Sequence, residues 1–226
     1  MSNKVLVVIA HSDDEVLGCG GTIINHVQNK DEVFVLVISD GESSRESHNL
    51  AHRKSCLEKS CSILGVSHFK QLNYEDSKLD SYPILDIIRE IEIVSKTFSP
   101  NIIYTHSQAD INIDHQVTSK ATITSFRATP DSNVDCIYTF EIPSSTEWNT
   151  IEARSLFTPN HFVELNQDDV DKKFEALNCY EEEIRPFPHP RSLDYLTSLM
   201  KVRGGSIGVN YAEAFVSERV IKRKSK

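Results

Sequence analysis

The chain has 226 residues, with 24 Lys and Arg against 33 Asp and Glu, which gives a formal net charge of −9. This balance disfavours binding to a nucleic acid backbone as the main activity. The five cysteines are odd in number and form no C-x-x-C pair, so they indicate free thiols in a reducing compartment. We expect no secretory leader and no transmembrane segment, and therefore a cytoplasmic location.

Apolar strands alternate with amphipathic helices in the first half of the chain. The pattern predicts strands at 5–10, 32–39, 68–73 and 101–105, and helices at 15–29, 48–64 and 84–98. The first two strands are nearly unbroken apolar runs, which is typical of strands covered on both faces. This alternation favours an α/β fold with a Rossmann-like, mostly parallel sheet flanked by helices.

The second half of the chain continues this pattern less regularly. It predicts strands at 134–142, 160–165 and 215–221, and helices at 168–183 and 193–202. The segment 185–192 contains three prolines, which exclude a helix and predict an ordered loop. We find no repeat and no low-complexity linker, so we expect a single domain over residues 1–226.

A polar cluster follows the first strand directly. His11, Asp13, Asp14 and Glu15 stand at the carboxyl end of that strand, where open α/β sheets hold their functional sites. Adjacent acids repel one another, so a bound cation is the simplest agent that would stabilise them. The alternative is a polar turn in which Ser12 or Asp13 only caps the next helix, but a cap needs neither a histidine nor three acids.

A second polar cluster lies at 104–115, between the fourth strand and another helix. A parallel sheet would bring this segment and the first cluster to the same edge. One histidine from each segment, with one or two carboxylates, matches a catalytic zinc site that has three protein ligands and an open position. His115 is the stronger candidate, because His106 can equally well be a buried, hydrogen-bonded histidine.

Three glycines follow the first acidic cluster. Gly18, Gly20 and Gly21 do not have the G-x-G-x-x-G spacing of a dinucleotide site, and the acids before them would repel a pyrophosphate. The glycines instead predict a close approach of the helix to the sheet. Cys19 among them is better explained as a packing residue than as a nucleophile or a thiolate ligand.

The two clusters together resemble a known family. The segment 11–15, His-Ser-Asp-Asp-Glu, resembles the A-H-P-D-D-E signature of the LmbE-like, or PIG-L, family of zinc-dependent N-deacetylases, with Ser12 in place of the proline. The segment 110–115 resembles that family's H-x-D-H segment, with Asn112 in place of the first histidine. Further matches extend over nearly the whole chain and fall at Arg53, 143–148, 189–192, 203–205 and 212–215.

The resemblance implies a metal site and a base. The metal ligands would be His11, Asp14 and His115, holding zinc or a divalent first-row metal in its place. Asp13 would be the general base toward the attacking water, and would also return the proton to the leaving amine.

The resemblance also implies roles for residues around the metal. Asp114 would orient a histidine rather than bind the metal. Arg53 and Asp76 correspond to residues that hold sugar hydroxyls. Asn112 cannot carry a proton, so we expect it to donate a hydrogen bond to the substrate or the oxyanion, while His106 is the alternative proton donor and a further candidate for substrate contact.

The sequence therefore predicts a zinc-dependent hydrolase that removes an N-acetyl group from an amino sugar of the N-acetylglucosamine type, or from its conjugate. The expected binding partner is this small-molecule substrate. The sequence does not decide whether the protein forms a homo-oligomer. Two alternatives remain at this point: an amidase for a larger acyl or thiol conjugate, and a carbohydrate-binding module without turnover. Retention of Asp13 beside the metal ligands argues against the second, because a binding module has no use for a base there.

Overall fold

Seven strands form one mixed sheet in the computed structural model, which describes residues 2–43, 49–150 and 156–224. The strands are β1 (Lys4–Ile9), β2 (Glu32–Ser39), β3 (His68–Tyr74), β4 (Ile102–His106), β5 (Cys136–Phe140), β6 (His161–Leu165) and β7 (Tyr211–Val220). The helices are α1 (Asp14–Gln28), α2 (Leu50–Leu64), α3 (Ile84–Phe98), α4 (Ile113–Ser125), α5 (Gln167–Leu177) and α6 (Leu193–Gly205). None of the helices in these described ranges is long and apolar enough to cross a bilayer.

The sheet order places β1 and β4 side by side at its centre. The order is β3-β2-β1-β4-β5-β7-β6, and the first five strands run parallel while β7 is antiparallel to both neighbours. The chain moves outward from β1 to β3 and then returns to the other side of β1, which creates a topological switch point between β1 and β4. Ligands of open α/β sheets bind at such a point. The predicted mostly parallel, Rossmann-like α/β sheet is confirmed.

The apolar run of β1 is explained by two cores, one on each face of the sheet. Val5, Val7 and Ile9 pack with α1, α2 and α5, while Leu6 and Val8 pack with α3 and α4. All five side chains are fully buried. A strand covered on both faces needs apolar residues at every position. The strands from β1 to β7 form one continuous sheet, which supports the prediction of a single domain.

The glycines of α1 allow the close helix–sheet contact that was predicted from the sequence. A Cβ atom on Gly18 would lie 2.4 Å from the ring of Phe140, and one on Gly21 would lie 2.5 Å from the side chain of Leu165. Cys19 between them is fully buried, and burial raises the pKa of its thiol well above the ordinary value. It is therefore a packing residue, since reactive thiols have a lowered pKa.

The predicted helix 168–183 is wrong in its second part. Helix α5 ends at Leu177 and a 3-10 helix, Asn178–Glu183, follows it, with a non-helical Tyr180 at φ −112° and ψ 48°. The Tyr180 hydroxyl donates to Glu15 at 2.6 Å. This long-range contact outweighs the helical periodicity of the segment.

Other boundaries moved by a few residues. β5 is shorter than the predicted strand 134–142, and β7 begins at Tyr211 rather than Phe215 because Tyr211 pairs with Leu165 of β6. Helix α6 extends three residues beyond 202, to Gly205. Helix α2 begins at Leu50 after the N-cap Asn49, and residue 48, the first of the predicted helix 48–64, lies outside the described residues.

Candidate active site

Three potential ligand atoms meet where the loop after β1 faces the start of α4. His11 Nδ1 lies 3.3 Å from His115 Nε2 and 3.4 Å from Asp14 Oδ2, and the remaining side of the triangle, from His115 Nε2 to Asp14 Oδ2, is 3.5 Å. Metal–ligand bonds of about 2.0–2.2 Å in a tetrahedral site would place ligand atoms about 3.3–3.6 Å apart. The three residues therefore fit a divalent metal.

The charge of Asp14 also fits a cation site. Burial would raise the pKa of this carboxyl, but the nearby histidines His115, His106 and His11 lower it well below its ordinary value. Its Oδ1 atom is buried and has no hydrogen-bond partner among the described residues. A buried, ionised carboxylate with an unsatisfied oxygen would be stabilised by a positive ion.

Two carboxylates face the other nitrogen of His11. Its Nε2 lies 3.1 Å from Asp114 Oδ2 and 3.1 Å from Asp76 Oδ1. Asp114 also accepts backbone N–H groups from Ser77 at 2.8 Å and Leu79 at 3.0 Å, so its oxygens are already used within the protein. Asp114 is placed to fix the ring of His11 with Nδ1 turned toward Asp14, a common arrangement behind metal-binding histidines.

These contacts decide the charge that His11 carries in the ion-free protein. Burial lowers the pKa of His11, but hydrogen bonds to Asp114, Asp14 and Asp76 outweigh it and raise the pKa well above the ordinary value. The site thus attracts positive charge, and a metal ion and a proton would compete for it.

Asp110 supports His115 as Asp114 supports His11. Its Oδ2 lies 3.1 Å from His115 Nδ1 and accepts the Thr146 hydroxyl at 2.9 Å, while its Oδ1 accepts the Ser145 hydroxyl and, at 2.8 Å, the Asn112 backbone N–H. Burial would raise the pKa of Asp110, but the hydrogen bond from His115 lowers it. Sequence reasoning did not single out Asp110, although it stands in the same polar segment as His115.

His106 lies beneath the site instead of lining it. Its ring is fully buried and stacks on that of His115, with ring centroids 4.1 Å apart. Its Nε2 accepts the Ala10 backbone N–H at 2.9 Å, and burial and His115 lower the pKa of His106 to about 3. The expectation that His106 contacts substrate is therefore corrected, and the ring packs behind His115.

Asp13 has an unusual backbone beside the potential ligands. Its φ of 119° and ψ of −26° place a non-glycine residue in a strained region, at a cost of about 1–3 kcal/mol. Its N–H donates to Glu15 Oε2 at 2.9 Å, which holds this conformation. Burial raises the pKa of Asp13, while Arg191 and Arg53 oppose this shift.

Three charged side chains surround the carboxyl group of Asp13. Asp13 Oδ2 lies 3.1 Å from Arg191 Nη1 and 3.5 Å from Arg53 Nη2. Glu183 accepts from both arginines, at 3.0 Å from Arg53 and 2.7 Å from Arg191, and Arg53 also donates to the carbonyl of Ser12. We call these residues, Asp13, Arg53, Glu183 and Arg191, the charged ring. Glu183 and Arg191 were not predicted as site residues, although 189–192 was a matched segment.

A cleft of about 120 Å³ opens above these groups. The described residues that line it are His11, Asp13, Gly41, Arg53, Asp76, Ser77, Asn112, Glu183 and Arg191. Of the predicted substrate-binding residues, Arg53 and Asp76 reach the cleft, and Arg53 is mostly occupied by the charged ring. Asn112 Oδ1 accepts the Asp114 N–H at 2.9 Å and so caps α4; donation by its amide nitrogen to the substrate stays a prediction.

The family profile of PIG-L, described as GlcNAc-PI de-N-acetylase, matches residues 6–126, more than half of the chain. The chain belongs to the PIG-L family. The match includes all three potential metal ligands, Asp13 and Asn112, while the charged ring is completed by Glu183 and Arg191 from outside the matched region. The resemblance seen in the two polar segments is thereby confirmed.

Individual relatives of the PIG-L family agree with this assignment. The chain is 26% identical to the diacetylchitobiose deacetylase of Thermococcus kodakarensis, over 93% of this chain and 81% of that protein. It is 23% identical to a probable N-acetyl-alpha-D-glucosaminyl L-malate deacetylase 2 of Bacillus anthracis, over 78% of this chain and 79% of that protein. The fold matches the solved N,N'-diacetylchitobiose deacetylase of Pyrococcus horikoshii with a TM-score of 0.77 and 23% identity, over 96% of this chain and 84% of that one.

Proposed function

We propose that the protein is a zinc-dependent N-deacetylase that hydrolyses the acetamide of an N-acetylglucosamine-type sugar or its conjugate. The observation that carries this proposal is the triangle of ligand atoms from His11, Asp14 and His115, with sides of 3.3–3.5 Å, next to the buried carboxyl of Asp13. The family and the names of its relatives supply the reaction class.

The protein's residues divide the work between them. Zinc in the triangle would supply Lewis-acid polarisation at the amide and at water. Asp13 takes the proton of the attacking water and then returns it to the leaving amine nitrogen, since it adjoins the ligand Asp14 in the chain and lines the cleft. The amide nitrogen of Asn112 donates to the oxygen that gains negative charge.

The charged ring explains why Asp13 can work as a base. Burial disfavours its ionised form, while Arg53 and Arg191 favour it. The net effect raises the pKa of Asp13, and a poorly hydrated carboxylate with a raised pKa has a greater tendency to accept a proton. His106 is not needed for either proton step, because its ring has no exposed surface.

The substrate is proposed from the relatives and from the cleft. Two relatives carry names of deacetylases for N-acetylglucosamine-type compounds, and the cleft is lined by donors and acceptors suited to sugar hydroxyls. Asp76 and the part of Arg53 that faces the cleft are the proposed hydroxyl partners. An amidase for a larger acyl or thiol conjugate would share the same metal and base, so the substrate must be separated by assay.

Two measurements test this function. We expect purified protein to contain one zinc ion per chain and to release acetate from at least one of a panel of free, nucleotide-linked, lipid-linked and thiol-linked N-acetylglucosamine compounds. Chelation should abolish the release, and added zinc should restore it. Bound zinc without acetate release from any compound would favour a binding module instead.

The remaining predictions concern the cellular location and the oligomeric state of the protein. All five cysteines are free thiols in the structure, which supports the proposed cytoplasmic location. A homo-oligomer stays a prediction that sedimentation can test.

A further inference from the structure

Large apolar side chains are exposed at the mouth of the polar cleft. Ile111, Trp148 and Phe187 are 48%, 52% and 65% exposed, and we call these three residues the apolar rim. Isolated exposed apolar residues are common on protein surfaces, but several around one opening indicate a binding surface.

Contacts between three loops place the apolar rim beside the cleft. Ile111 precedes the cleft residue Asn112, and its N–H lies 3.4 Å from the carbonyl oxygen of Ser145. Trp148 follows three residues later, and its ring centroid lies 5.7 Å from that of His189. Ile111 therefore adjoins the cleft at Asn112, and Trp148 lies on the segment 143–148, which contacts both Ile111 and His189.

The third loop continues from that contact into the catalytic groups. His189 Nδ1 accepts the Arg191 N–H at 3.0 Å, and Arg191 in turn reaches Asp13 at 3.1 Å. Phe187 lies two residues before His189 on this same loop. A group that extends out of the cleft past Arg191 would thus pass along the loop that carries Phe187 and contacts Trp148.

The cleft and the rim have opposite chemistry. The described residues that line the cleft are polar, apart from Gly41, and its volume of about 120 Å³ is small beside the ~300–1,000 Å³ of pockets that enclose a whole ligand. A cleft of this size has no room for a group attached to the N-acetyl sugar, so such a group would extend beyond the cleft toward the neighbouring loops. Burial of apolar surface there would favour an apolar attached group.

We propose that the apolar rim is a subsite for an apolar or aromatic group attached to the amino sugar. This inference rests on the proposed deacetylase function, because that function requires the acetamide to face His11 and Asp13 and so fixes the orientation of the bound sugar. An anionic attached group is disfavoured, because the two arginines that line the cleft, Arg53 and Arg191, already pair with Asp13 and Glu183.

A kinetic experiment with matched substrates tests the subsite. Hexyl, carboxypentyl and methyl glycosides of N-acetylglucosamine share the sugar and differ in the attached group. We expect kcat/KM for the hexyl glycoside to exceed that for the methyl glycoside by about tenfold, from burial of its methylene groups. The carboxypentyl glycoside, of similar length but charged, should gain much less.

Variants then assign this preference to the rim. Trp148→Ala and Ile111→Ser should reduce the hexyl-to-methyl ratio toward one. Ile93→Ser is the matched control, because Ile93 is 53% exposed but lies on the outer face of α3, and it should leave the ratio unchanged. An equal loss of the ratio in Ile93→Ser, or an unchanged ratio in both rim variants, would overturn the assignment.

A binding measurement separates this inference from the proposed reaction. Trp148 is the single tryptophan of the chain, so its fluorescence reports on the rim alone. Hexyl glucosaminide, the product of deacetylation, should shift the emission to shorter wavelength in a saturable way, and methyl glucosaminide should not. Acetate release with no emission shift and no hexyl preference would overturn the rim subsite and leave the function intact. An emission shift without acetate release from any glycoside would contradict the function and keep the subsite.

Discussion

The two histidines and the proposed base, Asp13, are supported in different ways. His11 and His115 each turn one nitrogen to a carboxylate, Asp114 or Asp110, at 3.1 Å. All four of these groups come from the loop after β1 or from the segment that follows β4. Asp13 is instead surrounded by two arginines and Glu183, of which two come from residues 183–191 near the other end of the chain.

This difference indicates two separate functions for the surroundings. A carboxylate behind a histidine fixes its orientation and tautomer, which a metal ligand requires. The charged ring sets the electrostatic potential at Asp13, which a base requires. Substitutions of the carboxylates behind the histidines should therefore change metal content, and substitutions in the charged ring should change turnover.

Loss of a ligand should give the largest effect. We expect His115→Ala to lose its metal and to reduce acetate release by about a thousandfold or more, because the polarising ion is then absent. Metal analysis and acetate assay check both. His161→Ala is the control, since His161 stacks on Tyr138 away from the cleft. Full metal content in His115→Ala would refute the ligand set.

Loss of the base should spare the metal. Asp13→Asn keeps the size of the side chain but cannot accept the proton, so turnover should fall on the order of a hundredfold or more at unchanged metal content. Turnover close to that of the native protein would show that another group accepts the proton.

Removal of a supporting carboxylate should weaken metal binding without abolishing it. Asp110→Asn and Asp114→Asn should each lower metal affinity about 10–100-fold, because the histidine that each carboxylate contacts then loses its fixed orientation. Competition with a chelator of known affinity measures this. If either variant lost metal as completely as His115→Ala, that carboxylate would itself be a ligand.

A change in the charged ring should give the smallest effect on activity. Glu183→Gln removes one negative charge, so the arginines act on Asp13 alone and make it a weaker base; we expect turnover to fall about tenfold with metal affinity unchanged. Glu182→Gln, at the exposed neighbouring position, is the matched control. A lower metal affinity in Glu183→Gln would mean that the charged ring also supports the metal site.

The sequence predicted the part of this arrangement that depends on local order. The apolar runs of β1 and β2 and the polar residues directly after β1 and β4 are each continuous in the chain, so the sheet and the meeting of the two polar segments at one edge could be predicted from them. The ligand set His11, Asp14 and His115 was implied by the family resemblance. The roles of Glu183 and Arg191 depend on a 3-10 helix and a proline-rich loop returning to α1, which periodicity does not encode. The burial of His106 was also undecided, because a histidine at the end of a strand can point into either environment.

The backbone of Asp13 has a consequence for the stability of the protein. At φ 119° Asp13 is held in a backbone conformation that glycine adopts more readily, so the position of this one carboxyl group lowers the stability of the fold. Asp13→Gly and Asp13→Ala both remove that carboxyl and its ion pairs, and they differ in the freedom of the backbone. The free energy of unfolding of the glycine variant should exceed that of the alanine variant by about 1–3 kcal/mol. The glycine variant should therefore unfold at a higher denaturant concentration. Equal stability of the two inactive variants would mean that the turn relaxes once the acid is gone, and that the side chain's own contacts hold the backbone in this shape.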